Sequence, residues 1–234
     1  MCCHQPKRYI QGGEEYVARI APSVLGADFA RLGEEIASAD AAGVDWLHLD
    51  IMDGHFVPNI SFGPSIVKTI DKLSKTFLDV HLMLSEPERY FEAFAKAGAD
   101  CITFHVEVHP EPAPLANQLH EMGIQAGLSV NPDRGPEAVV PHLKNFDLLL
   151  VMSVFPGFGG QSFIESSLDT VRAARDHIDE NNFKTLIAVD GGVERSNAVK
   201  VVEAGADVLV MGTAFFGAED RADLARMVQK LERG

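Results

Sequence analysis

The pattern Ala-Gly-x-Asp occurs three times in this chain, each time directly before a short apolar run. The copies occupy residues 42–45, 97–100 and 204–207, and residues 122–124 (MGI) form a looser fourth copy. A glycine that ends a helix and turns the chain into a strand is typical of a helix-to-strand connection. Its repetition requires a repeated β-α unit, and such units place their strands in parallel.

Apolar runs that alternate with helical spacing predict eight strands. They cover residues 20–24, 46–51, 77–83, 101–106, 124–130, 146–154, 185–189 and 208–211, and a last helix is expected over 220–231. Eight β-α units in 234 residues favour a single (β/α)8 TIM barrel over an open doubly wound sheet. We expect the barrel to occupy residues 18–234 and residues 1–17, which are polar and aperiodic, to form an N-terminal extension outside the core.

The composition excludes several classes of partner. A net charge of −14 argues against binding to nucleic acid or to an anionic membrane, but not against a small phosphorylated ligand held by backbone amides. Three cysteines make no disulfide framework, and Cys2-Cys3-His4 lacks the second ligand pair of a metal site. No run resembles a signal peptide or a membrane span, so we expect a cytoplasmic protein, and an acidic barrel of this kind is expected to be a homo-oligomer (a dimer or hexamer).

Four side chains at strand ends predict a metal site. Residues two apart in a strand project to one face, so His48 and Asp50 point the same way. A buried carboxylate needs a compensating proton, cation or metal. His81 and Asp190 end two other apolar runs, and the carboxyl ends of barrel strands gather at one mouth. Any one of the four could be a satisfied core histidine or a turn cap, but together they favour one divalent ion: zinc, iron(II), cobalt or manganese.

The two carboxylates predict proton transfer. Asp50 ends the second strand and Asp190 the seventh, three steps apart around an eight-stranded barrel, so they should face each other across the mouth. A ligand between them could lose a proton to one and gain a proton from the other on its opposite face, which is the geometry of an epimerase. Proton abstraction next to a carbonyl builds negative charge on oxygen, and a metal stabilises the resulting enediolate.

Glycine clusters after the sixth, seventh and eighth strands predict a phosphate site, because glycine lets backbone amides approach. Each cluster alone could serve only a tight turn. The predicted phosphate-binding residues are Gly157, Phe158, Gly159, Gly160, Gly191, Gly192, Gly212 and Thr213. Three methionines near the strand ends either fill gaps in the core or line an apolar pocket that excludes water: Met52, Met83 and Met152. His105 and Glu107 are either partners of the ligands or polar loop residues.

Five motifs closely resemble the ribulose-phosphate 3-epimerase family, and the resemblance spans about residues 19–231. They are residues 21–25 (APSVL), 48–59 (HLDIMDGHFVPN), 79–83 (DVHLM), 156–161 (PGFGGQ) and 189–192 (VDGG). The resemblance implies a ribulose-phosphate-binding barrel that interconverts D-ribulose 5-phosphate and D-xylulose 5-phosphate in the pentose phosphate pathway. It also implies one divalent metal on His48, Asp50, His81 and Asp190, with Asp50 and Asp190 as the acid/base pair. Ser23 and His81 would contact the substrate.

Three alternatives stay open at this point. A sister epimerase of the allulose 6-phosphate type would share the metal and both aspartates. A metal-independent decarboxylase or ketol isomerase would usually need a lysine at a strand end, which this chain lacks. A catalytically silent binding protein would not need the complete ligand set.

Overall fold

The computed structural model describes residues 17–233, so the predicted extension lies outside the described residues except for Val17, as does Cys2-Cys3-His4. Eight parallel strands form one sheet in the order β1-β8-β7-β6-β5-β4-β3-β2. They are β1 (Arg19–Pro22), β2 (Trp46–Met52), β3 (Phe77–Met83), β4 (Cys101–His105), β5 (Gln125–Val130), β6 (Leu148–Met152), β7 (Leu186–Asp190) and β8 (Val208–Met211). A parallel bridge between Ser23 and His48 brings the two edges together. The predicted (β/α)8 barrel is confirmed.

Helices cover the outside of the barrel between most strands. They are α1 (Leu32–Ala42), α2 (Pro64–Leu73), α3 (Phe91–Ala97), α4 (Ala113–Glu121), α5 (Ser167–Asn181), α6 (Ala198–Glu203), α7 (Thr213–Phe216) and α8 (Arg221–Val228). The connection from β5 to β6 holds two 3-10 helices instead. The last helix is shorter than predicted: the Asp220 side chain caps its start by accepting from the Asp223 N–H, and it ends at Val228. Within residues 17–233, no helix is long and apolar enough to cross a membrane.

The aspartate of each Ala-Gly-x-Asp copy ties neighbouring strands together at the amino end of the barrel. The glycines end helices in the left-handed region, with φ of 76° at Gly43 and 108° at Gly98. Each aspartate accepts a hydrogen bond from a backbone N–H of the strand before it: Asp45 from Ile20 (3.0 Å), Asp100 from Leu78 (2.9 Å) and Asp207 from Ile187 (2.7 Å). Asp147, which the pattern did not mark, does the same for Ala126 at 2.9 Å. These four hydrogen bonds join consecutive strands in pairs: β1 with β2, β3 with β4, β5 with β6, and β7 with β8.

Strand alternation divides the core into two regions. Leu47, Leu49 and Ile51 of β2 face the helices, whereas Trp46 points into the barrel and stacks on Phe77 at a ring-centroid distance of 4.6 Å. Trp46 and Phe77 belong to an apolar cluster inside the barrel that also contains Ala21, Cys101, Leu148, Leu150, Ala188 and Val208. The polar residues of β2 and β3 lie between this inner cluster and the mouth of the barrel.

Candidate active site

The four predicted metal ligands lie together near the mouth of the barrel. One ligand atom from each of His48, Asp50, His81 and Asp190 lies within 4.8 Å of those of the other three. Asp50 Oδ1 is 3.2 Å from His48 Nε2 and 3.1 Å from His81 Nδ1. The Asp190 carboxylate approaches from β7, with Oδ2 4.0 Å from His48 Nε2. Strands β2, β3 and β7 therefore supply one compact set of nitrogen and oxygen donors.

His48 has one ring nitrogen satisfied by protein and the other directed at the carboxylates. Its Nδ1 lies 2.8 Å from Asp79 Oδ2, and the Thr103 hydroxyl donates to the other oxygen of Asp79 at 3.0 Å. With the ring neutral and Nδ1–H donated to Asp79, Nε2 carries a lone pair. This Nε2 is buried and has no hydrogen bond with any of residues 17–233. A buried lone pair beside two carboxylates fits a cation, and two imidazoles with two carboxylates suit zinc, iron(II), cobalt or manganese.

The environment shifts the pKa values of the two carboxyl groups in opposite directions. Burial and the charge of Asp50 raise the pKa of Asp190 to about 7. Burial also disfavours the charged form of Asp50, but His48 and His81 outweigh it and hold the pKa of Asp50 well below its usual range. Burial lowers the pKa of His81 to about 4. Burial opposes protonation of His48 too, yet Asp50 and Asp79 raise the pKa of His48 above its ordinary value. Two carboxyl groups with separated pKa values are suited to work as an acid and a base.

Hydroxyl groups hold both aspartates in place. The Ser23 hydroxyl donates to Asp50 Oδ2 at 2.5 Å, and the Ser61 hydroxyl donates to the Asp50 carbonyl at 2.6 Å. The Asp190 carbonyl accepts from the Ser153 N–H at 2.7 Å and from its hydroxyl at 3.0 Å. The Asp190 side chain is 17% exposed and that of Asp50 6%. The Asp50 carboxylate is therefore held by Ser23, whereas Ser153 holds the backbone from which the Asp190 carboxylate extends to the mouth.

A cavity of about 490 Å³ opens above these carboxylates. Every residue predicted to bind phosphate or line the pocket contributes to its wall, together with Ser23, Asp50 and Asp190: Met52, Met83, Met152, Gly157, Phe158, Gly159, Gly160, Gly191, Gly192, Gly212 and Thr213. His48 and His81 are fully buried and are not part of the wall. The structure thus places the two predicted acid/base residues and the predicted phosphate residues around one cavity, with His48 and His81 buried within 3.2 Å of Asp50.

Close backbone contacts require glycine at Gly192 and Gly26 in the wall of the cavity. Gly192 has a φ of 64°, and a Cβ there would lie 2.6 Å from the backbone nitrogen of Phe163. A Cβ on Gly26 would lie 2.7 Å from the carbonyl carbon of Gly212 and 2.9 Å from the nitrogen of Thr213. Gly26 belongs to no motif that the sequence singled out, and only this contact reveals that it supports the loop after β8.

His105 and Glu107 lie beside the ligands rather than apart from them. His105 Nε2 is 2.8 Å from His81 Nε2, and His105 Nδ1 is 3.2 Å from Glu107 Oε2. Burial raises the pKa of Glu107, but the hydrogen bond from His105 outweighs it, so the net pKa is lowered. Glu107 is therefore an ionised acceptor at neutral pH.

Comparison with known proteins decides the family. The model of the ribulose-phosphate 3 epimerase family matches residues 19–216. The chain belongs to the ribulose-phosphate 3-epimerase family. It is 49% identical over 216 residues to the ribulose-phosphate 3-epimerase of Synechocystis, covering 92% of this chain and 94% of the relative. It is 47% identical over 205 residues to the Bacillus subtilis enzyme of the same name, covering 87% and 94%. The predicted family is confirmed, and the chain is an epimerase of the isomerase class.

Solved structures at low sequence identity share the barrel of this epimerase. A variant of the tryptophan synthase α-subunit of Pyrococcus furiosus aligns with a TM-score of 0.67 and 16% identity, covering 93% of this chain and 99% of that one. At this identity the likeness concerns the fold alone.

Asp79 is another residue of the epimerase site that the sequence did not reveal: it orients His48 through Nδ1. It occurs in the motif of residues 79–83, two positions before His81. Its function depends on the register of β2 against β3, which pairs His48 with Asp79. Asp79 and His81 are two residues apart and lie on one face of β3, which indicates that Asp79 points into the barrel. The sequence alone does not give the register of β2 against β3, so the contact of Asp79 with His48 could not be predicted.

Proposed function

We propose that this epimerase interconverts D-ribulose 5-phosphate and D-xylulose 5-phosphate at C3 by proton transfer with two acid/base groups, Asp50 and Asp190. The observation that carries the proposal is the pair itself. The two carboxyl groups come from β2 and β7, line one cavity, and have pKa values driven in opposite directions. A sugar carbon between them presents one face to each group.

Each aspartate has a defined task in one direction of the reaction. The ionised Asp50 carboxylate accepts the C3 proton from one face of the sugar. Protonated Asp190 then gives a proton to the opposite face, which inverts the configuration. In the reverse direction the two groups exchange roles. Ser23 holds Asp50 through the 2.5 Å hydrogen bond, so the carboxylate meets the sugar in a fixed orientation.

His48, Asp50, His81 and Asp190 would hold one divalent cation, with zinc or iron(II) proposed first and cobalt or manganese as alternatives. A cation bound there supplies stabilisation of the negative charge that develops when a proton is removed next to a carbonyl. The protein holds the donors ready for it: Asp79 orients His48, and Asp50 directs one oxygen at both histidines.

The rest of the cavity is proposed to bind the phosphate and shield the reacting carbon. Backbone N–H groups of the three glycine clusters would receive the phosphate, with Ser23 near the sugar. His81 is fully buried and lies outside the cavity wall, so its proposed role is that of a metal ligand. Met52, Met83 and Met152 give the wall between them an apolar character that excludes water. A cytoplasmic location and a homo-oligomeric state, dimer or hexamer, stay predictions.

The experiment is a direct comparison of two substrates. Purified protein is assayed with D-ribulose 5-phosphate and with D-allulose 6-phosphate, before and after chelation and after adding back zinc, iron(II), cobalt or manganese. We expect the pentose phosphate to be turned over with higher kcat/KM and chelation to remove the activity reversibly. A higher kcat/KM for the hexose phosphate would contradict the proposed substrate and identify the protein as an epimerase of the allulose 6-phosphate type. Full activity without any bound metal would contradict the metal site.

A further inference from the structure

We propose that His105 and Glu107 are positioning residues that fix His81 in the tautomer with a free Nδ1 and thereby set the affinity of the site for its cation. This inference rests on the metal site proposed above. It concerns a series of three side chains: His81 on β3, His105 at the end of β4, and Glu107 in the partly buried segment that follows β4.

The distances define the series. His81 Nε2 and His105 Nε2 are 2.8 Å apart, and His105 Nδ1 is 3.2 Å from Glu107 Oε2. The other oxygen of Glu107 accepts from the Asn131 N–H at 2.8 Å. Both histidines are fully buried, and the His105 ring lies between those of His81 and Phe56, at centroid distances of 5.0 and 4.6 Å. The rings therefore have no room to turn to other partners.

The direction of each hydrogen bond follows from Glu107, the member of the series farthest from the predicted metal ligands. An ionised carboxylate only accepts, so His105 must donate to Glu107 from Nδ1. A neutral imidazole has one N–H, which leaves His105 Nε2 as an acceptor. His81 must then donate from its own Nε2. Its remaining nitrogen, Nδ1, is left without a proton and faces Asp50 Oδ1 at 3.1 Å. That is the form in which a histidine binds a metal.

The same logic already holds for His48, whose Nδ1 is occupied by Asp79. For His48 one carboxylate orients the ligand directly. For His81 a second histidine is inserted between ligand and carboxylate. Partners of this kind typically change metal affinity by about 10- to 100-fold when they are removed.

The test measures Co²⁺ affinity by chelator competition in the full chain for His105→Gln, Glu107→Gln and the double variant. The control is His120→Asn, which breaks a histidine–carboxylate pair of similar geometry outside the site, with Asp147 at 2.8 Å. We expect each single variant to bind Co²⁺ about 10- to 100-fold more weakly and the control to bind as the unsubstituted protein does. The Co²⁺ affinity of the double variant should be only slightly lower than that of the weaker-binding single variant, because both substitutions act on His81 through the same series of hydrogen bonds.

A second measurement reads the tautomer directly. ¹⁵N NMR of histidine side chains in the zinc-loaded protein should show His105 protonated at Nδ1 and His81 at Nε2. Unchanged Co²⁺ affinity in both single variants, additive losses in the double variant, or a His105 protonated at Nε2 would each overturn the inference while leaving the metal site standing. No Co²⁺ binding by the unsubstituted protein would overturn the proposed metal site, and the inference with it.

Discussion

Ser23 and Asp50 are joined by a hydrogen bond of 2.5 Å at the seam where β1 and β2 close the barrel. It occupies Asp50 Oδ2 and leaves Oδ1 to the two histidines. We expect Ser23→Ala to lower kcat about 10- to 100-fold, because a hydrogen bond to a charged group contributes about 1.5–3 kcal/mol. Cation affinity should be nearly unchanged. The check is steady-state kinetics alongside Co²⁺ titration, and a variant that loses the cation but keeps kcat would contradict this role.

Cation binding should displace protons. Asp50 and Asp79 raise the pKa of His48 well above its ordinary value, so His48 binds a proton where a cation would bind. Lower pH therefore favours the protonated ligands, and cation affinity should rise with pH by about tenfold per unit for each proton displaced. Titration calorimetry in two buffers of different ionisation enthalpy counts these protons. Affinity independent of pH between about 6 and 8 would argue against the ligand set.

Gly26 should matter for phosphate binding although it carries no side chain. A Cβ there meets the backbone of Gly212 and Thr213, so Gly26→Ala must push the loop after β8 out of position. Loss of one hydrogen bond to a charged phosphate would lower kcat/KM about 10- to 100-fold, mainly through KM. Gly33→Ala is the matched control, because no atom of the described part of the chain lies within 4 Å of a Cβ at Gly33. Equal kinetics for the two variants would refute the loop contact.

The aspartates at the amino end of the barrel should serve stability alone. Asp45 accepts from the Ile20 N–H at 3.0 Å and from the Gln229 side chain at 2.9 Å. Asp45→Ala leaves that N–H without its acceptor and should reduce the free energy of unfolding by about 1–3 kcal/mol, with kcat/KM unchanged. Asp45→Asn keeps an acceptor oxygen and should lose far less. Urea unfolding of both variants measures the difference, and similar losses would mean that charge, not the hydrogen bond, is what stabilises the strand.

The fold was predictable because its determinants are local. Each continuous apolar run predicts a strand that is buried on both faces of the sheet. Each Ala-Gly-x-Asp copy predicts the end of a helix followed by a strand. The sequence also led to the four predicted ligands, because His48, Asp50, His81 and Asp190 are polar residues within apolar strands that a closed barrel brings together.

The partners of those ligands could not be predicted, because they depend on register and side-chain direction. The hydrogen bond of Asp79 to His48 follows from the pairing of β2 with β3. The contact of Gly26 with Gly212 joins segments 186 positions apart along the chain, and no spacing rule connects them. The end of α8 at Val228, three residues before the predicted end, reflects a tighter last turn, in which the Leu231 N–H donates to the Val228 carbonyl at 2.9 Å.

The central claim is that Asp190 and Asp50 move protons on opposite faces of C3. The most direct measurement is the reaction of D-ribulose 5-phosphate in D₂O, followed by ¹H NMR at C3, for the unsubstituted protein and for Asp190→Asn. The unsubstituted protein should form D-xylulose 5-phosphate that carries deuterium at C3, and the variant should form it about 10²- to 10⁴-fold more slowly while still folding. Product that retains the original proton at C3, or an Asp190→Asn rate equal to that of the unsubstituted protein, would contradict the account.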